Sequence, residues 1–598
     1  MFEALPPAAI YLLGALIVPF LKGRVRQAFA LAIPLIGLLN YTAISEGVHW
    51  TTTLLDFELI LGNVDRWSLI YLNIFTVISF AGILYIINDN KALDLSAGLL
   101  YAGSAMGVVL AGDLLTMFFF WEMLTVAAVL CILSRQTPEA GKAAYRYLLV
   151  HVFGGVILLA GILIHLATGG SVAFDKIELS GVGPWLMFIG FGINCAWPVV
   201  GAWLTDTYHE ASIGGVIFMA TYTTKTAIFV LARCFPGEDT LLWIGMAMAI
   251  IPLIYAVIEN DLRRVLAYCL INQVGFMVIG VGLGTALSLN GAAAHSYCHI
   301  LYKSLLFMSI GAVIYRTGKS KATELGGLYR SMPWTCFFCC FGAASISAPF
   351  LAGFISKSMI LSDAASKGTP MGTALWLVLL FAAAAVFFQA GIKVPFFAFF
   401  SRDSGIRCKE APLNQLLAMG LVAAMCLIVG SFPNLIVYSM LPNPEASYNP
   451  YTFSHVTDQY ALLLFSGLAF VLLLRAGLYP AEIRSTNVDF EVLYRRGGPV
   501  LYRVFDKVLN AANRIASALF IGVIARNVCN FFESGASRLA CWIMTPVWMM
   551  QGADSEQIED NRQAFFRIAR KGALPIGITA FCAVMMLGLL SLIFLLEK

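Results

Sequence analysis

The chain runs to 598 residues, of which 60% are hydrophobic and only 12% charged, with a formal net charge of +4 and a mean hydropathy of +0.82. A soluble domain carries roughly 25% charged residues, so this surface is not made to face water. A membrane β-barrel is excluded as well, because barrel strands alternate apolar and polar residues and the apolar runs here do not.

Runs of about 20 apolar residues recur from end to end, the length that crosses a hydrocarbon core of roughly 30 Å. Backbone polar groups left unpaired in lipid are too costly, so these runs are expected to be helices. In chain order they cover residues 4–21, 27–45, 66–87, 93–111, 114–134, 144–167, 184–203, 212–233, 241–258, 262–283, 293–315, 335–361, 373–400, 412–439 and 458–475. No basic region precedes the first run, which reads as a retained helix and not a signal peptide. With the N-terminus outside, sixteen Lys and Arg residues fall in inner loops, while Arg66, Lys176, Arg233 and Lys367 alone fall in outer ones. That bias supports the orientation. Arg263 and Arg264 open their span and are expected to snorkel to the inner interface.

Residues 476–572 mix basic clusters (Arg484, Arg495, Arg496, Arg503) with moderately apolar stretches, a pattern that suits an amphipathic helix along the inner membrane face. A final run at 573–596 is long enough to span. The expected class is an all-α integral membrane protein with about 15–16 transmembrane helices. The thirteen cysteines sit mostly inside apolar runs and read as small core residues. Neither a metal site nor a cofactor site is expected.

Two spans look interrupted. Residues 184–203 carry Gly190, Gly192, Pro198 and Gly201, and residues 335–361 carry Pro349 and Gly353 in SISAPFLAGFISK. Glycine and proline break the helical ladder, which a membrane tolerates only where protein or a cavity covers the break. The second comes five spans after the first, the arrangement that internal repeats of transporters produce.

A charge at the bilayer centre costs roughly 2.5–3.5 kcal/mol on insertion scales, so each one needs a partner, water or a purpose. Glu122 lies nine residues into its span and Lys225 similarly deep in its own. His295, His299 and Lys303 follow at spacings of four, stacked on one helix face. Lys357 follows Pro349, and Lys393 follows Gly391. Acid, base and histidine on successive spans point to proton relay or ion passage; a Glu122–Lys225 structural salt bridge is the bland alternative.

These residues carry a resemblance. FFFWE, YRYLLVHVFGG, AWLTDTYHEAS, TTKTAIF, NDLRRVLAYCLINQVGF, HSYCHILYKSLLF, GGLYRSMP and APFLAGFISK resemble the antiporter-like subunits of respiratory complex I, and more closely the D-type subunit of Mrp-type multisubunit sodium/proton antiporters. The match covers roughly residues 60–410 in order. It implies two inverted five-helix repeats, here 93–233 and 241–400, each with a broken helix; the apolar runs add flanking parts at 1–92, 412–475, the lateral segment 476–572 and a last helix within 573–598. It implies a proton path through Glu122, Lys225, His295, His299, Lys303 and Lys357, and the order of spans places Lys393 opposite Lys225 as a further member. It also implies partner membrane subunits, protons and sodium as the ions, a prokaryotic inner membrane as the location, and no nucleic acid. A redox-driven complex I-like or hydrogenase assembly and an inorganic carbon uptake complex are the rival settings; the chain encodes no redox centre of its own. One departure stands out: where relatives have a lysine in the first broken helix, GINCAWPVVGAWLTD places Asn194. Asparagine cannot titrate, so the path in the first half is either altered or lost.

Overall fold

A computed structural model describes residues 5–54, 57–480, 483, 489–490, 492–572 and 583–588, which divide into two compact units, Met1–Val492 and Leu493–Lys598. The first unit opens with helices Pro7–Ile17 (α1) and Gly23–Tyr41 (α2). A hairpin of Gly47–Leu54 (β1) and Phe57–Val64 (β2) follows, antiparallel with Thr52 opposite Leu59. No strand is expected there from the hydropathy pattern, which places only a connection between two spans. The hairpin has an anchoring role: Ile60 N donates to Asp113 Oδ2 at 2.7 Å and Gly112 N to Ile60 O at 2.9 Å, which seats β2 over the start of the fifth helix.

Helices Arg66–Ile86 (α3), Ala92–Leu110 (α4), Leu114–Leu133 (α5) and Pro138–Ala167 (α6) come next. The first interrupted span is Val182–Asn194 (α7) and Ala202–Thr207 (α8); then come Gly215–Thr221 (α9) and Thr223–Cys234 (α10). A second series runs Asp239–Ile258 (α11), Leu262–Leu283 (α12), Ala286–Thr317 (α13), the interrupted pair Pro333–Ala344 (α14) and Ala352–Ser366 (α15), and Pro370–Val386 (α16). α16 continues as π-helix over Phe387–Lys393. Leu413–Ser431 (α17) and Phe453–Arg475 (α18) complete the unit's helices. All fifteen expected spans fall on helix, and among the described residues twelve helices are long and apolar enough to cross a membrane. α12 sits at the centre, with every one of its residues buried.

The two series repeat the same local chemistry in register. Asp113 caps α5 and Asp261 caps α12; Thr137 caps α6 and Thr285 caps α13; each pair is 148 residues apart, as 261 is from 113. Side-chain caps satisfy backbone donors that a helix start leaves free. The bonds around them repeat too: Leu114 N to Val172 O is matched by Leu262 N to Ser320 O, and Phe174 N to Gly112 O by Ala322 N to Asn260 O. The helix breaks are built alike. Val199 after Pro198 and Phe350 after Pro349 both take a left-handed backbone, with φ of 71° and 67°. Non-glycine residues rarely hold that conformation unless the surroundings impose it. Gly201 and Gly353 lie so close to the broken backbone that an added Cβ would stand 2.4 Å from Ala196 O and 2.2 Å from Ile346 O respectively.

Arg263 and Arg264 do not snorkel: both are buried. Arg263 donates to Ala211 O and Ser212 O at 3.0 and 3.2 Å, pinning the turn before α9, and Arg264 Nε lies 3.5 Å from Glu259 Oε2. Free carbonyls and a buried acid on neighbouring elements hold them more strongly than the interface does. The cysteines include one Cys-x-x-Cys spacing, Cys336 to Cys339 on α14; both are buried and free.

In the second unit, Gly498–Ser517 (α19) and Arg526–Met550 (α20) are joined through π-helix over Ala518–Ala525, and Ser555–Gly572 (α21) follows. The stretch Arg495–Gly535 alone has 41 residues, about 60 Å at 1.5 Å per residue and twice the hydrocarbon thickness. Arg503, Lys507 and Arg514 share one face of α19, with Leu501, Phe505, Val508 and Ile515 on the other. The last expected span, 573–596, lies outside the described residues except for 583–588.

Candidate functional site

Interrupting a helix frees backbone carbonyls inside the membrane, and ionisable side chains collect where that happens. Lys225 is fully buried just after the discontinuity between α9 and α10. Its Nζ donates to Ala220 O at 2.6 Å and to Thr224 Oγ1 at 3.1 Å. Lys357, also buried, donates to Ser347 Oγ at 3.1 Å, inside the second break, and lies 5.6 Å from the centre of the Phe276 ring. A cation over an aromatic face is attracted by the ring quadrupole.

Between them runs α13. Its histidines stack as the i, i+4 spacing requires, with the rings of His295 and His299 6.0 Å apart and His299 edge-on to Tyr302 at 5.2 Å. His295 Nδ1 pairs with Ser356 Oγ at 2.9 Å. Neither nitrogen of His299 has a hydrogen-bond partner within the protein, nor has His295 Nε2. An unsatisfied buried donor costs about 1–3 kcal/mol, so a fold keeps one only for a reason. Tyr302 Oη continues the polar line to Gln273 Oε1 at 2.9 Å, and Gln273 Nε2 donates to Asn272 Oδ1.

The structure brings Lys225, His295, His299, Lys303 and Lys357 together. His299 lies within electrostatic reach of Lys225, Lys303 and Lys357, and Lys225 within reach of Lys303. Among the described residues no carboxylate stands at ion-pair distance from Lys225, Lys303 or Lys357. The Glu122–Lys225 salt bridge considered from sequence is therefore not formed. Lys393 is buried at the end of the π-helical turn, and its Nζ donates to Ala256 O, Val257 O and Glu259 O at 3.2, 2.8 and 2.8 Å. Those are the last carbonyls of α11, so Lys393 satisfies a helix C-terminus where a cation is favoured. Cys269 on α12 lies within electrostatic reach of Lys303, Lys357 and Lys393 alike.

In the first series, Glu122 on α5 is half-buried and its Oε1 has no hydrogen-bond partner. The carboxylate fits a notch in α6: a Cβ on Gly155 would lie 2.1 Å from Glu122 Oε1. Only glycine leaves room there. Gly155→Ala is expected to leave the fold intact, because the flexible end of Glu122 can move, while displacing the acid; assembly and transport measured side by side would separate the two effects. Asn194, the last residue of α7, is buried.

His151 lies in YRYLLVHVFGG, and nothing in that segment gives it a role of its own. It is buried on α6, its Nδ1 donates to Tyr147 O at 2.9 Å, and its ring stacks on Tyr147 at 3.8 Å and meets Trp203 edge-on at 4.5 Å. Close by, Arg146 forks onto the buried Asp206 through Nε at 2.5 Å and Nη2 at 2.9 Å, locking α6 to α8. In the turn that follows, outside the spans, His209 and Arg135 beside Glu210 hold its carboxyl below the usual carboxylate range. That contribution is present above the ordinary carboxylate pKa and is lost as pH falls through the depressed one.

Fold and site together define a class: a polytopic α-helical membrane protein of two repeated five-span modules, each with a broken helix and buried titratable side chains. The family described as NADH:quinone oxidoreductase/Mrp antiporter, TM, matches residues 111–388. The A-type subunit of the Na(+)/H(+) antiporter of Alkalihalophilus pseudofirmus is 24% identical over 71% of this chain and 61% of its own length. The chain thus spans about three fifths of that relative. In structure it is similar to a chain of the Mrp complex of Dietzia sp. DQ12-45-1b, with a TM-score of 0.72, 24% identity and coverage of 87% of this chain and 62% of that one. It is also similar to a chain of the membrane-bound sulfane sulfur reductase, an archaeal respiratory membrane complex, with a TM-score of 0.66, 23% identity and coverage of 86% and 95%. The chain resembles the antiporter-like subunits of Mrp and complex I-type assemblies.

Proposed function

We propose that the chain is the proton-translocating subunit of a multisubunit cation/proton antiporter of the Mrp type, working beside other membrane subunits, with its N-terminus outside and residues 476–572 along the inner face. The observation that carries this reading is the group Lys225, His295, His299, Lys303 and Lys357, buried together without a carboxylate partner among the described residues. Several like charges within electrostatic reach of one another in a low-dielectric interior repel, so the group cannot readily hold all its protons at once. Adding a proton at one member drives one off its neighbour, which is the elementary step of a relay. Glu122 and Lys393 extend the file toward the first series and toward the end of α11. Sodium is the proposed counter-ion. The test is proton movement in inside-out vesicles carrying the assembled complex, under an imposed sodium gradient. Glu122→Gln is expected to abolish the flux with assembly unchanged; undiminished flux would overturn the reading.

A second setting has one observation behind it. The chain covers 95% of the sulfane sulfur reductase chain against 62% of the Mrp chain, which fits membership of a redox-driven complex equally well. Iron–sulfur or flavin subunits in the purified assembly would decide for that setting.

A further inference from the structure

The repeat register assigns the first series a base that takes the place of the lysine missing at Asn194. With Thr137 matched to Thr285 at the heads of α6 and α13, His151 falls on His299, and Gly155 falls on Lys303. Where α13 carries an ammonium stem, α6 therefore carries bare backbone, and the carboxylate of Glu122 occupies that space. His151 stands one turn away on the same face of α6; positions four apart have Cβ atoms roughly 5–6 Å from each other.

The imidazole presents an acceptor nitrogen without a hydrogen-bond partner. Because Nδ1 donates to Tyr147 O, the neutral ring presents Nε2 as an acceptor. That nitrogen is buried and has no hydrogen-bond partner within the protein. Tyr147 and Trp203 hold the ring on two sides, and Trp203 Nε1 in turn donates to Ile193 O at 2.9 Å, the residue before Asn194. Beyond the ring, Tyr147 Oη lies 3.5 Å from Thr223 Oγ1, which Tyr101 Oη also contacts, and Thr224 and Lys225 follow on the same helix. Polar side chains thus stand along α6 from the Glu122 notch to Tyr147 and on to the head of α10, where Lys225 lies, without using residue 194.

We propose that His151 is the proton-carrying base of the first half: Nε2 accepts the proton that leaves the Glu122 carboxyl, forming imidazolium beside carboxylate, and releases it toward the hydroxyls of Tyr147 and Thr223 and the amine of Lys225. The proposal rests on the proton-translocating reading above. Its test uses the assembled complex in vesicles, comparing the parent, Glu122→Gln, His151→Gln and His151→Gln with Asn194→Lys. His151→Gln is expected to lower proton flux about a hundredfold or more, as loss of a positioned proton-transfer group does, and Asn194→Lys in the same chain to restore a substantial part. A role in folding alone would not be rescued by a second change on α7. The infrared carbonyl band of protonated Glu122, assigned by its loss in Glu122→Gln, is expected to shift in His151→Gln. Flux in His151→Gln within twofold of the parent, while Glu122→Gln abolishes it, overturns the proposal and spares the reading beneath it. A loss of flux with no rescue and an unmoved carboxyl band overturns it also. No flux in the parent defeats both.

Discussion

Lys225→Met is expected to leave the complex assembled and to lower proton flux by at least about two orders of magnitude, the scale on which a positioned proton-transfer group contributes. The reason is an asymmetry between the two roles of a buried lysine. Methionine has nearly the same length and volume, so α10 stays packed, and replacing a buried charge by an apolar side chain of similar shape is often neutral or stabilising. What disappears is the group that donates to Ala220 O and Thr224 Oγ1 and senses Lys303 and His299 across the gap to α13. Vesicle flux and native-gel assembly measured on one preparation check it. Loss of assembly would make Lys225 structural; retained flux would remove it from the path.

The second large effect is on stability. Asp206 is 1% exposed and is held by the guanidinium fork of Arg146. Arg146→Met takes that fork away from a buried carboxylate, and removing one partner of a buried pair costs about 3–5 kcal/mol; Arg146 is partly exposed, so the lower end is expected. The apparent unfolding temperature of the purified complex should fall clearly. Arg146→Met with Asp206→Leu should recover much of the loss, because the buried charge is then gone. Arg146→Lys should fall between, since an ammonium cannot reproduce the two parallel bonds. A double variant no better than Arg146→Met would show that the pair contributes by its own attraction and not by offsetting a buried charge.

The sequence showed the helices because lipid permits little else: the fifteen apolar runs all fall on helical segments, some of them interrupted. It showed the breaks because Pro198 and Pro349 cannot continue a helix, and it showed most of the ionisable file because charge inside an apolar run has no ordinary use. It missed the hairpin at Gly47–Val64, whose strands are fixed by pairing and by Asp113 fifty residues away. It misplaced Arg263 and Arg264, since a cation at the head of a span snorkels unless carbonyls come to meet it, and those of Ala211 and Ser212 do.

His151 marks the boundary between what sequence and structure each decide. A lone histidine in an apolar run reads as core, and the residue types around it do not by themselves set it apart. Its meaning comes from the notch at Gly155 that receives Glu122, the stack on Tyr147 and the match of Thr137 to Thr285. By itself the sequence determined the class of protein, where the apolar helices run, the places where two of them break and which ionisable side chains lie within apolar runs, because each follows from one segment and its solvent. Only the tertiary structure decided which of those side chains lie near one another, that Glu122 and Lys225 are not an ion pair, and that His151 lies one turn from the notch holding Glu122. Proximity between helices is set by packing, and packing is a property of segments far apart in the chain.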